Sequence, residues 1–218
     1  MSCASITSDS VLQNRCIKTT NLTDDIVRIA LGAGNLVGIG IFDLTLDASV
    51  AKTSGYGISI ASTGGNLYNS SFGRLYMTAQ MFSGVNVEAA LYLDMRDILI
   101  FGIAANGIGF RLAGFSSAVQ VGDVYLNNLR VANGVSGGIT IGYLFDSWVQ
   151  GYYCSYLSAE SKGLDYGIFI NDSQNTGTST PMNMLFNQCI CDSQNKYAVN
   201  IVNGKTLRFT DQWASGAG

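Results

Sequence analysis

The residues of this chain that are best suited to chemistry are three acids in one short segment. Glu88, Asp94 and Asp97 lie close together in the sequence, and Arg96 stands between the last two. Two carboxyl groups on one surface hydrolyse a glycosidic bond as acid and base or nucleophile, at separations of roughly 5 Å for retention or 6.5–9.5 Å for inversion. The three acids are therefore the candidate catalytic residues. Acids alternating with arginine are also typical of a solvated ion-pair network, and the sequence leaves this alternative open.

Aromatic residues form a second set of candidates. Trp148, Tyr152 and Tyr153 crowd into one turn region. Flat apolar rings with a polar edge suit the faces of sugars, so these residues, together with Arg96, are the candidate substrate-binding residues. Because successive side chains of a strand point to opposite faces, one of Tyr152 and Tyr153 must face outward if the segment is a strand. For Trp148, buried stacking is the alternative.

The chain contains no histidine, which removes several kinds of active site. Ser-His-Asp and Cys-His catalysis, His-ligated zinc and His-based proton relays are excluded within it. Among five cysteines, Cys189 and Cys191 stand two apart in a strand-like run. This pattern lacks metal-ligand spacing and favours small buried hydrophobic residues. The sequence therefore indicates no metal site and no cofactor.

Composition argues against two classes of partner. The net charge is −3 and the 12 basic residues are scattered singly, so no basic stripe is available to bind the phosphates of a nucleic acid. The uninterrupted apolar runs are too short to cross a bilayer, so no membrane insertion is expected. The first five residues also lack the basic and apolar regions of a signal peptide.

Both sets of candidates belong to an internal repeat of short strands. Its first half is a glycine followed by an alternating apolar strand, and its second half is a polar residue followed by an apolar-x-apolar strand. First-half copies begin at Gly57, Gly109, Gly138, Gly167 and Ala198, and second-half copies begin at Asp43, Arg74, Asp97, Asn128 and Gln188, with a degenerate copy at Ser147. The first-half copies lie about 29–31 residues apart, with one double-length gap after Gly57, and this period is typical of stacked or radial repeat folds.

The repeat predicts an all-β fold in which short parallel strands stack in about seven coils. The chirality rule for parallel crossovers makes the stack right-handed. No segment shows the spacing of a convincing amphipathic helix, and 218 residues suit one undivided domain. In this arrangement Asp43, Arg74 and Asp97 occupy one column, whose neighbouring members lie about 4.8 Å apart. Members of adjacent coils are thus near the distance for retention and members of alternate coils, such as the two acids, near the distance for inversion, so a catalytic pair of carboxyl groups is geometrically possible.

The repeat also carries a family resemblance. The segments 167–171, 184–189, 198–204 and 207–215, together with the opening segment 17–47, resemble coils of the right-handed single-stranded parallel β-helix of bacteriophage tailspikes and pectate-lyase-like proteins. The resemblance covers most of residues 1–218, which we expect to form a single domain. It implies an elongated homotrimer that binds, and in enzymes of the family cleaves as hydrolase or lyase, a bacterial surface polysaccharide. It further implies synthesis in a bacterial cytoplasm and a final place in a phage virion or outside the cell.

The chain departs from that family at several points. The Gly-His-Gly and Arg-x-Lys elements of polygalacturonases are absent, and the acids around Arg96 match the calcium-binding acids and arginine base of pectate lyases only loosely. Head-binding and C-terminal trimerisation domains are also missing, which is compatible with a piece of a longer spike. Two functions therefore stay open: a glycan-binding or glycan-cleaving spike, and a structural β-helix shaft without activity.

Overall fold

The structure, a computed structural model, describes residues 16–78, 81–135, 138–160 and 163–215. These residues form 19 β-strands and no helix, which confirms the all-β prediction. The strand pairings within the two sheets are parallel. The chain is a parallel β-solenoid of about six turns, where the repeat predicted about seven. Its right-handedness stays a prediction.

The strands divide between two sheets that wrap around a common core. In chain order they are β1 Cys16–Thr19, β2 Val27–Leu31, β3 Leu36–Val37, β4 Gly40–Ala48, β5 Tyr56–Ser62, β6 Leu67–Met77, β7 Ser83–Val87, β8 Ala90–Ile103, β9 Ile108–Ala113, β10 Val121–Gly134, β11 Ile141–Asp146, β12 Val149–Ser155, β13 Ser158–Glu160, β14 Tyr166–Asn171, β15 Met182–Asn187, β16 Ile190–Asp192, β17 Tyr197–Ile201, β18 Lys205–Thr210 and β19 Trp213–Ser215. Strands β2, β5, β7, β9, β11, β14 and β17 form the second sheet, and the other twelve form the first.

Two corners bend each coil within the first sheet, and both are built from residues in the left-handed backbone region. The first corner contains Gly38, Asn69, Tyr92, Asp123, Gly151, Asn183 and Thr206, and the second contains Asp43, Arg74, Asp97, Asn128, Tyr156, Gln188 and Asp211. The φ angles at these positions lie between 48° and 74°. Glycine, asparagine and aspartate adopt this conformation at the lowest cost, which explains their frequency at both corners.

The surface between the two corners is called the lateral face below. Side chains on it alternate between core and solvent, as the strand period requires. The inward positions of its central coils are at most 1% exposed: Leu93, Met95, Val124, Leu126, Tyr152 and Cys154. The outward positions form two columns, one containing Ser71, Asp94, Tyr125, Tyr153 and Leu185, the other Gly73, Arg96, Asn127, Ser155 and Asn187.

The cysteines follow the sequence prediction. Cys154, Cys189 and Cys191 are buried free thiols that point into the core. Burial raises the pKa of Cys189 to about 11 and that of Cys191 to about 12. Both thiols are therefore protonated at neutral pH and pack as small hydrophobic groups. Residues 1–5, which include Cys3 and lack the features of a signal peptide, lie outside the described residues.

Close packing explains why the first half of the repeat begins with glycine. Gly57, Gly84, Gly109, Gly142 and Gly167 stack in successive strands of the second sheet. A Cβ atom on Gly109 would lie 2.6 Å from the carbonyl oxygen of Gly142 and 2.5 Å from a methyl group of Val131. The column therefore excludes larger residues because core side chains of the first sheet fill the space beside it.

The register corrects two copies of the predicted repeat. The copy missing from the double-length gap begins at Gly84, and the next first-half copy after Gly109 begins at Gly142 rather than Gly138. The second-corner copy in the following coil begins at Tyr156, which has a φ of 55°, rather than at Ser147. Loops of different length between the strands shift these copies, so a constant period locates them wrongly.

Candidate functional site

The lateral face contains a groove at its centre. Asp94, Arg96, Tyr125 and Asn127 line this depression, which has a volume of about 320 Å³. Strand β8 supplies the first two residues and β10 the others, and the register places Asp94 beside Tyr125 and Arg96 beside Asn127. The preceding coil carries only Ser71 and Gly73 at these outward positions. The side chains of Arg96 and Phe42 fill the space above Gly73, where a Cβ atom would lie 3.0 Å from Cγ of Arg96 and 3.3 Å from Cδ1 of Phe42.

An ion pair forms the polar part of the groove. Nη2 of Arg96 donates a hydrogen bond to Oδ2 of Asp94, two residues earlier in the same strand. The Arg96 side chain is 53% exposed and that of Asp94 is 27% exposed. Both outward side chains of β8 are thus held by each other while solvent reaches them. A guanidinium and a carboxylate side by side provide a set of donors and acceptors for hydroxyl groups.

Two stacked tyrosines form the apolar part of the site. The rings of Tyr125 and Tyr153 lie 5.1 Å apart between centroids with an interplanar angle of 9°. Both side chains are exposed, at 53% and 51%. Because Tyr153 covers one face of the Tyr125 ring, the groove lies on the side of Asp94 and Arg96. Sequence reasoning selected Tyr153 and missed Tyr125 and Asn127, although Val124-Tyr125-Leu126 repeats the pattern of Tyr152-Tyr153-Cys154 one coil earlier.

Asp97 lies next to the groove but belongs to the second corner. Asn128, one coil further on, donates a hydrogen bond of 2.7 Å from Nδ2 to Oδ1 of Asp97. In the same column Arg74 donates from Nε and Nη2 to the two carboxylate oxygens of Asp43, at 2.6 and 2.8 Å. The hydrogen bond with Asp43 raises the pKa of Arg74, and the charge of Asp97 adds to this effect. The predicted column of Asp43, Arg74 and Asp97 is confirmed, and its contacts are those of a polar ladder between coils.

Glu88 lies apart from the two aspartates. The chain turns after β7 and again at Tyr92, which separates Glu88 from the lateral face. Oε1 of Glu88 lies 3.7 Å from Nη1 of Arg111, and Oε2 accepts a hydrogen bond from the backbone N–H of Ser62 at 3.2 Å. These partners belong to the second sheet and its edge. The structure therefore does not bring the three candidate acids together.

Two of the predicted aromatic binding residues, Tyr152 and Trp148, lie outside the groove. Tyr152 is 1% exposed and packs edge-on against Phe145 at 5.5 Å, so it cannot contact a glycan on the surface. The prediction of Tyr152 as a binding residue is corrected because the strand period turns its side chain into the core. Trp148 is half-buried three residues before the first corner, where its Nε1 donates a 2.7 Å hydrogen bond to Oε1 of Gln174. It lies off the lateral face, beside the loop that precedes β15.

Metal sites and membrane-spanning helices are not found among the described residues. No three side chains of His, Cys, Asp or Glu converge there to hold a metal ion. A helix long and apolar enough to span a membrane is likewise absent from the described part of the chain. A second depression of about 310 Å³ lies beyond the second corner and is lined mainly by apolar residues such as Phe101, Ile103 and Val135, whereas the lateral groove combines charged, amide and aromatic side chains.

The fold defines the chain as a parallel β-solenoid with a tyrosine stack and an ion pair on one outer face. Comparison of the chain with protein-family models, with curated proteins and with solved structures gives no match. The likeness to the β-helix family therefore rests on the repeat in the sequence and on the parallel stack itself.

Proposed function

We propose that this protein binds an extended bacterial surface polysaccharide along its lateral face, in the manner of a phage tailspike. The observation that carries the proposal is the exposed stack of Tyr125 and Tyr153 beside the Asp94–Arg96 pair. A ring face next to a donor–acceptor pair suits a sugar, whose apolar face stacks and whose hydroxyl groups hydrogen-bond. The two columns of outward side chains continue along the stack on both sides of the groove, which suits a polymer better than a compact ligand.

The proposal concerns binding rather than cleavage. Asp94 is hydrogen-bonded by Arg96 and Asp97 by Asn128, so each acid already has a role in the packing of the face or the corner. Glu88 precedes the bend at Tyr92 and has its own partners on the second sheet. A hydrolase or lyase activity needs two carboxyl groups, or an acid and a base, that face one sugar.

A structural shaft is the second candidate function. The inter-coil bonds of the second corner favour it, since Asp43 with Arg74 and Asp97 with Asn128 tie neighbouring coils together without facing the groove. A shaft and a receptor-binding protein differ in one measurable respect, because only the latter retains a glycan.

Assembly and location belong to the same proposal: a homotrimer in a phage virion or outside the cell. Within residues 149–157, the large outward side chains are Tyr153 and Tyr156, both more than half exposed, whereas Val149 and Leu157 are buried. Association through the second corner would cover Tyr156 and leave Tyr153 exposed on the lateral face. Light scattering of the purified protein across concentrations is expected to give the mass of three chains, and a constant monomer mass would contradict this part of the proposal.

The function is tested by binding to a panel of immobilised bacterial surface polysaccharides. The wild-type protein is expected to be retained by at least one polymer, and the double variant Tyr125→Ala/Tyr153→Ala to bind it at least about tenfold more weakly because the stacking surface is gone. Tyr197→Ala is the matched control, since Tyr197 is also exposed and stacked on a neighbour, Tyr166, but lies on the second sheet. A reducing-end assay on the retained polymer measures cleavage in the same experiment. Absence of retention across the panel would favour the shaft.

A further inference from the structure

The charges around the groove indicate which class of polysaccharide it binds. We infer that the lateral face selects an uncharged polymer of neutral sugars and rejects polyanions such as polyuronates or polysialate. This inference rests on the proposed function, because it assigns a substrate class to the same groove.

The first step is the balance of charge. The lateral face around the groove, together with its two corners, comprises residues 38–43, 69–74, 92–97 and 123–128. These four segments contain four carboxylates and two guanidinium groups: Asp43, Asp94, Asp97, Asp123, Arg74 and Arg96. The surroundings of the groove are therefore negative overall. A polymer with a carboxylate on every residue or every second residue meets repulsion along such a surface, and at low salt this repulsion extends over about 10 Å or more.

The second step is that neither arginine offers an uncompensated positive charge. Arg74 is bound through two nitrogens to the carboxylate of Asp43, and Arg96 is bound to Asp94. A site for a sugar carboxylate commonly uses an arginine fork directed at the ligand. Arg74 is engaged through two nitrogens and Arg96 through Nη2, so an incoming carboxylate would have to share each guanidinium with an aspartate of the protein, and the two carboxylates would repel each other.

The third step is that the Asp94–Arg96 pair suits neutral sugars. A guanidinium carries five N–H donors, more than one bond to Asp94 uses, and a carboxylate accepts from several directions. Adjacent hydroxyl groups of a hexose can therefore accept from Arg96 and donate to Asp94 at once. The amide of Asn127 and the ring of Tyr125 complete the lining of the groove. Each of these contacts is available to an uncharged sugar without separating an ion pair.

The inference is tested with two sets of immobilised probes measured side by side. The neutral set contains dextran, mannan and bacterial O-polysaccharides without acidic sugars, and the anionic set contains polygalacturonate, alginate, hyaluronate and polysialate. Wild-type protein is expected to bind within the neutral set, with an affinity that changes less than about twofold between low and high salt because no charge is neutralised on binding. The anionic set is expected to retain none of it.

The variant Asp94→Asn sharpens the test because it releases Arg96 and removes one negative charge. It is expected to bind the neutral polymer about tenfold more weakly, through the loss of a charged acceptor, and to gain salt-sensitive binding to the anionic set. The control is Glu160→Gln, which removes the carboxylate of a similar exposed pair, Arg130–Glu160 at 2.8 Å, outside the lateral face. This control is expected to bind as the wild type does.

The possible outcomes separate the two proposals. Salt-sensitive wild-type binding to the anionic set, with none to the neutral set, would overturn the inference and leave the proposed function standing. Equal loss of neutral binding in Asp94→Asn and Glu160→Gln would show a non-specific charge effect and also overturn it. Retention by no probe in either set would contradict the proposed function itself and the inference with it.

Discussion

The lateral face and the second corner lie side by side on the same strands, yet they use the same residue types in opposite ways. On the lateral face, Arg96 pairs with Asp94 two residues away in one strand. At the corner, Arg74 pairs with Asp43 and Asn128 with Asp97, each across 31 residues and therefore between neighbouring coils. A bond within a coil orients side chains at the surface, whereas a bond between coils holds the stack together.

The role of an acid in this fold therefore depends more on its position within the coil than on its neighbours in the sequence. Asp94 and Asp97 are three residues apart and belonged to one candidate cluster, but only Asp94 lines the groove. Asp97 is placed at the corner because the backbone there has a φ of 55°, a conformation in which aspartate is tolerated. We therefore expect substitutions on the face to change binding and substitutions at the corner to change stability.

The largest expected effect is on glycan affinity, and it distinguishes Tyr125→Ala from Tyr153→Ala. Tyr125 lines the groove, while Tyr153 supports it from the far side by stacking. The Tyr125 variant should lose at least about tenfold in glycan affinity and the Tyr153 variant clearly less, because removing the supporting ring leaves the contact ring in place. Thermal unfolding of both should match the wild type, since both side chains are more than half exposed. A larger loss for Tyr153→Ala would move the site toward the next coil.

A smaller effect, on stability, is expected for Asp97→Val compared with Asp97→Asn. A β-branched residue at a φ of 55° is strained, so Asp97→Val should lower the free energy of unfolding by about 1–2 kcal/mol, as measured by denaturant titration. Asparagine tolerates the left-handed region and can still accept a hydrogen bond from Asn128, so Asp97→Asn should unfold close to the wild type.

The glycan affinity of both Asp97 variants should be unchanged if the corner is purely structural. Loss of polysaccharide cleavage in Asp97→Asn, with unchanged stability, would contradict this view. It would return Asp97 to the role of a catalytic acid.

The smallest effect is expected beneath the lateral face, where two buried tyrosines differ in their hydrogen bonds. The Tyr143 hydroxyl donates towards the backbone carbonyls of Leu129 and Ser158, at 2.6 and 3.0 Å. The Tyr152 hydroxyl is buried without a hydrogen-bond partner among the described residues. Tyr152→Phe should therefore raise the free energy of unfolding by roughly 1 kcal/mol, and Tyr143→Phe should lower it by a similar amount. Destabilisation by both variants, measured at equal protein concentration, would indicate an undetected partner for Tyr152.

The sequence predicted the class of fold because stacked coils repeat their chemistry at each level. Glycine-led and polar-led strands at a near-constant period indicated parallel stacking, and the column of Asp43, Arg74 and Asp97 followed from aligning them. The buried thiols at Cys189 and Cys191 followed from strand alternation in an apolar run. The same alternation required one of Tyr152 and Tyr153 to face outward, but the register was needed to identify Tyr153 as that residue.

The composition of the candidate site could not be predicted as fully. The steps between stacked glycines range from 25 to 33 residues, since the loops differ in length from coil to coil. Errors in phase of four residues at Gly138 and nine at Ser147 assigned these residues to the wrong column. Tyr125 was missed for this reason, because its alignment with Tyr153 requires the second-corner copy to be placed at Tyr156 rather than at Ser147.

The sequence by itself determined that short strands with alternating apolar residues recur at a near-constant period, and such strands bury their apolar faces by stacking on their neighbours. It also determined the types of side chain that repeat along each column. The tertiary structure alone decided which columns face solvent together, because two left-handed residues per coil redirect the chain. Those bends separate Glu88 from Asp94, move Asp97 into a ladder between coils, and bring Tyr125, Tyr153, Asp94 and Arg96 onto one face.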